Sequence, residues 1–254
     1  MFDLQKASMW KRLSAALFDF ILLVIVVVGA ALLLSFAFGY DSYADTLEGI
    51  YASYEESYGV KFNLTDAEFA ALDETAKANY DKAYAALAAD AEFNNTYNLM
   101  FNYTILIIVF SILAAFLLME FLIPLLLKNG QTLGKKIFGI GVMRADGLKL
   151  PPVLLFARTV LGKYTVETMI PVMIVVMIMF GVMGAFGIVV IAALLAIELG
   201  MLIASPARTP IHDKLAGTVT VDIASQMIFD TQEELIEAKN KYNEKIKESK
   251  EKTV

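Results

Sequence analysis

Apolar residues in this chain come in long blocks. Leu17–Phe38 holds one charge, Asp19; Tyr103–Leu127 holds one, Glu120; Thr168–Ser205 holds one, Glu198. Runs of about 20 apolar residues are what a hydrocarbon core of about 30 Å asks of a spanning helix. Only helices or closed barrels satisfy their own backbone there, and the blocks lack the alternation of barrel strands. The pattern predicts a first span over roughly 14–38 and a second over roughly 101–127. The forty residues from Val166 to Ser205 would form a helix of about 60 Å, twice the core thickness. Gly181, Gly184 and Gly187 near their middle favour two spans, roughly 165–182 and 185–205, over one tilted helix. The first block is too long, and too poorly closed by small residues, for a cleaved signal peptide.

Between the blocks the pattern changes. Residues 39–100 predict small helices: Thr65-Asp66-Ala67-Glu68 has the form of a capping box, and Asp73–Phe93 is rich in helix-favouring alanine. So long an insert is either a small subdomain or a flexible acidic flap. Asn129-Gly130 ends the second span. Ile140–Arg144 and Thr218–Val221 favour strands and predict a two-stranded antiparallel sheet, with Asp146-Gly147 as a turn after the first. Pro151 and Pro152 open a short helix, Val153–Lys163. Thr231–Lys252 mixes Glu and Lys at helical spacing and reads as a solvated helix.

The expected fold is therefore all-α, a polytopic membrane bundle of about four spans with a helical acidic insert and a small sheet. The chain divides into 1–38 (N-terminal segment and first span), 39–100 (insert), 101–225 (remaining bundle) and 226–254 (charged tail). Composition agrees, at 58% hydrophobic and 19% charged residues, against about 25% charged in soluble domains. Charge then orients it. The insert sets twelve acids against three lysines, whereas Lys128–Lys163 sets seven bases against Asp146. The positive-inside rule places both termini and the 128–163 segment in the cytoplasm of a multi-pass cell-membrane protein, and the insert outside. The chain has no cysteine and a single histidine, His212, so no metal site and no cofactor is expected. Nucleic acid is not an expected partner either; the lipid bilayer is.

The polar motifs occur in a definite order. Arg12 stands at the mouth of the first span with Asp19 seven residues inside. Gly130-Gln-Thr-Leu-Gly-Lys-Lys136 follows the second span, then Arg158, and His212-Asp213-Lys-Leu-Ala-Gly-Thr218 follows the last. This series resembles the RDD family of bacterial and archaeal membrane proteins, named for one Arg and two Asp, over most of the chain outside the insert and the tail after about residue 225. The resemblance maps that triad to Arg12, Asp19 and Asp213. It implies transport as a suggested role, with some members looking like cation/proton antiporters.

The residues themselves allow more than one chemistry. At about 1.5 Å per residue, Asp19, Glu120 and Glu198 lie roughly 10–15 Å from the basic ends of their spans. Carboxylates at one level can bind a hard cation or share protons; alternatively each is protonated or paired to orient helices. An intramembrane acid needs a partner, and Arg12 or Arg158 is expected to approach Asp19. Asp213 is expected in a buried contact with Lys135, Arg144 or Arg158. Lys135 and Lys136 read as contacts to lipid headgroups, since the Walker spacing is not met. The leading reading is a small transporter exchanging monovalent cations and protons. The other is a non-catalytic scaffold or accessory subunit with a membrane partner or a second copy. No enzyme chemistry is expected.

Overall fold

The computed structural model describes residues 4–127, 129–204 and 209–251, with side chains through Glu244. Lys128, the first residue of the basic segment above, lies outside these residues. Four helices are long and apolar enough to cross a membrane: α1 (Met9–Phe38), α5 (Ala91–Leu127), α7 (Pro152–Met179) and α8 (Gly184–Ala204). The insert adds α2 (Tyr40–Tyr58), α3 (Asp66–Ala70) and α4 (Glu74–Ala89). Two single-turn helices, α6 (Leu133–Ile137) and α9 (Ile211–Leu215), each lead into a strand, β1 (Ile140–Arg144) and β2 (Thr218–Asp222). The tail forms α10 (Gln232–Glu251). On the spans, large apolar side chains such as Leu33, Phe36, Phe186 and Ile203 are exposed. In water such a surface would be an aggregation liability; lipid is its natural solvent.

Two span boundaries differ from the sequence reading. Val153–Lys163 is not a separate surface helix. It is the start of α7, because Lys163-Tyr-Thr-Val166 contains no breaker and the helix runs on. The second span likewise begins earlier, at Ala91, where Asp90 accepts from the amides of Glu92 and Phe93. The 165–205 block does divide in two. Gly181 and Gly184 take left-handed φ values of 71° and 48°, which glycine adopts without steric cost.

α5 and α7 each contain a π-helical stretch, Leu117–Leu122 and Ala157–Met169, in which the hydrogen bond reaches five residues back. Such stretches are rare and concentrate at functional sites. The two pack on each other, and the Thr159 hydroxyl donates to the Glu120 carbonyl at 2.9 Å.

The chain divides into two compact units, Val28–Ser111 and the remainder. The first of these holds the insert together with the adjoining ends of α1 and α5. Within Val28–Ser111 the insert is a packed subdomain and not a flap. Tyr51, Phe62, Tyr80 and Phe93 meet edge to face, Tyr54 donates to Asp90 at 2.8 Å, and the Thr65–Glu68 capping box forms.

In the other unit, β1 and β2 pair antiparallel with Val142 opposite Thr220. Lys6 bridges to Val221, extending the pairing. Met143, Val219 and Val221 are buried beneath Leu4 and Ile228. Residues 226–230, grouped with the tail above, thus belong partly to the sheet: Phe229 accepts from Lys149 and donates to Gly147.

Candidate functional site

The two polar motifs are built around buried carboxylates. In Gly130–Lys136, Asn129 and Gly130 make the turn with positive φ, and the Gln131 amide donates to the Ile140 carbonyl. Thr132 caps α6 through the Lys135 amide, while its hydroxyl donates to Asp19. The Gly134 amide donates to the other Asp19 oxygen at 2.7 Å. A Cβ on Gly134 would sit 2.9 Å from Asp19 Cγ, so only glycine lets α6 approach α1 this closely. In the second motif, Asp213 pairs with Arg158 at 2.7 Å, the two side chains 1% and 2% exposed. The Thr218 and Thr220 hydroxyls also donate to Asp213. Gly162 is the counterpart of Gly134, since a Cβ there would meet His212 Cβ at 2.5 Å.

These groups open onto one cavity of about 580 Å³ within the unit that holds the sheet, a size typical of small-ligand sites. α1 contributes Arg12 and Asp19; α5, Glu120; α6, Lys135; α7, Arg158, Lys163 and Glu167; α8, Glu198; and α9, His212 and Asp213. Every spanning helix supplies charge. Lys163 reaches one Glu120 oxygen at 2.6 Å, and Lys135 stands 3.9 Å from the other. That second oxygen, Oε2, is buried with no hydrogen-bond partner among the described residues.

Several expectations need correction here. Asp19 is held by the Thr132 hydroxyl and the Gly134 amide. Arg12 donates to the Thr220 carbonyl, and of the three bases proposed for Asp213 it is Arg158 that pairs with it. Lys135 does not face lipid headgroups. Its side chain turns inward to Thr132 and Glu120, and burial pushes its ammonium down to about 8 against the pull of Glu120. Lys136 is exposed. Lys163 lines the cavity.

Glu167 escaped the sequence reading. It accepts from the His212 amide at 2.7 Å, and both its oxygens lie 2.7–2.8 Å from His212 Nδ1. Its signal was present, a carboxylate inside an apolar helix, but only if α7 is started at Pro152. Glu198 accepts from the Ile211 amide at 3.2 Å. Burial lowers the His212 pKa, and the charge of Arg158 adds to this, against Asp213 and Glu167. For Asp213 burial works upward but is outweighed by Arg158, which holds the carboxyl below its ordinary range.

The family model of the RDD family matches residues 6–217. The chain belongs to the RDD family. No curated protein and no solved structure matched the chain. The match takes in both motifs, and Arg12, Asp19 and Asp213, the triad named by the resemblance, all line the cavity of this RDD protein.

Proposed function

We propose that this RDD protein is a small membrane transporter, a carrier and not an enzyme, whose charged cavity forms the path for exchange of monovalent cations and protons. The supporting observation is that Asp19, Glu120 and Glu198, from three spans, line one cavity in which Glu120 Oε2 has no hydrogen donor among the described residues. A buried carboxylate oxygen left without a donor is costly and suits a site that takes a proton, a water or a cation. By the positive-inside rule the cavity end, with both termini, faces the cytoplasm. The test is flux in proteoliposomes: Na⁺ or K⁺ gradients should drive proton movement in the wild type, and Glu120→Gln should abolish it while expression and elution stay normal. Undiminished flux in both Asp19→Asn and Glu120→Gln proteins would sink the reading.

One observation favours a second reading, a scaffold or accessory subunit with a membrane partner or a second copy. The cavity charges largely neutralise each other, as in Arg158–Asp213 and Lys163–Glu120, which is also how a static bundle orients its helices. On that reading no gradient is dissipated, and acid-to-amide variants alter stability alone.

A further inference from the structure

The geometry points to a divalent transition-metal site formed by Glu167, Glu198 and His212, of the class that takes Zn²⁺ or Mn²⁺. One ligand atom from each residue lies within 4.8 Å of the other two. The three come from separate elements, α7, α8 and α9, so the convergence is a product of the fold and not of one acidic stretch. One imidazole nitrogen and two carboxylates suit borderline divalent ions better than Mg²⁺ or Ca²⁺, which prefer oxygen alone. Three protein ligands leave positions open toward the cavity they line.

The surroundings match what metal ligands need. Backbone amides of His212 and Ile211 hold Glu167 and Glu198 in place. His212 Nδ1 faces both Glu167 oxygens, while Nε2 points toward Asp213 at 3.7 Å. Nδ1 donates to the Glu167 carboxylate in this structure, so a metal would take the place of that proton, with Asp213 nearby on the Nε2 side. A separate observation indicates that the same cavity is built to hold a ligand: the buried Glu120 Oε2 without a hydrogen donor.

The inference rests on binding geometry and holds whether or not the protein moves monovalent cations. The experiment uses the full chain without a polyhistidine tag, purified in detergent and stripped with EDTA. Zn²⁺ and Mn²⁺ binding is measured by titration calorimetry and by metal content after gel filtration. Co²⁺ is added as a spectroscopic probe of nitrogen ligation. The wild type should retain about one equivalent, with Ca²⁺ and Mg²⁺ failing to compete. His212→Gln and Glu198→Gln should each weaken binding by at least about tenfold, and His212→Gln should change the Co²⁺ spectrum. If His212→Gln fails to fold, Glu198→Gln, at a half-buried position, decides. No retained equivalent in the wild type, or one unaffected by these substitutions and so held by the surface acids, overturns the site. A chain that binds Zn²⁺ but shows no flux keeps this site and loses the transport reading; the reverse result does the opposite.

Discussion

Arg158→Met tests how the cavity is held together. Arg158 and Asp213 are almost fully buried and 2.7 Å apart. Removing one member of such a pair typically costs about 3–5 kcal/mol, because the other charge stays behind. The charge left behind is Asp213, still bonded to Thr218 and Thr220, and it can escape by taking up a proton. Protonation at pH 7 of a carboxyl with an unfolded pKa of about 3.9 costs about 4 kcal/mol, at about 1.4 kcal/mol per unit, which caps the loss. At pH 5 the cap falls to about 1.5 kcal/mol. The sign follows from proton counts. In the variant the folded state binds the extra proton, so its stability falls as pH rises from about 4 to 7. In the wild type the Asp213 pKa is depressed, so the pair's contribution is present above about pH 4 and lost only below it. The deficit should therefore shrink by about 2–3 kcal/mol between pH 7 and pH 5. Thermal unfolding in one detergent at both pH values measures it. Arg158 also pushes His212 down, so the comparison is repeated in a His212→Gln background. In the double variant Arg158→Met/Asp213→Asn much of the loss should return. A pH-independent deficit, or additive losses in the cycle, would refute the reasoning.

Three further predictions address other parts of the molecule. Asp19→Asn replaces the acceptor that holds Thr132 and the Gly134 amide; it should cost about 1–3 kcal/mol in thermal unfolding, whereas Glu244→Gln on exposed α10 should stay within about 0.5 kcal/mol. Lys135 has a folded pKa of about 8 against about 10.4 unfolded, so the unfolded state binds more protons between those values. The wild type should gain about 2.5 kcal/mol on Lys135→Met from pH 8 to pH 10.4; parallel stability curves for the two proteins would show that Lys135 is not buried as described. Ser57→Cys, in a chain without cysteine, should react with an impermeant maleimide from outside intact cells, and labelling only after lysis would invert the topology.

The sequence by itself determined the architecture, because membrane burial is a one-dimensional constraint. About 20 apolar residues in a row must span, and the glycines around Gly184 must break the last block. Local chemistry also sufficed for the Thr65–Glu68 capping box and for the strand pairing, where β-branched residues sit beside glycine turns. Only the tertiary structure decided who partners whom. Depth along separate helices put Asp19, Glu120 and Glu198 at one level, but rotation about each helix axis, altered by the π-helical stretches of α5 and α7, chooses which side chains face the cavity. Lys135 looked like a headgroup contact in sequence, since Lys135 and Lys136 differ only in the face of α6 they occupy. Glu167 was hidden for the opposite reason: its partner, His212, lies 45 residues away, and their contact depends on Gly162 letting α9 settle directly on α7. Long-range steric fit of this kind leaves no periodicity along the chain to read.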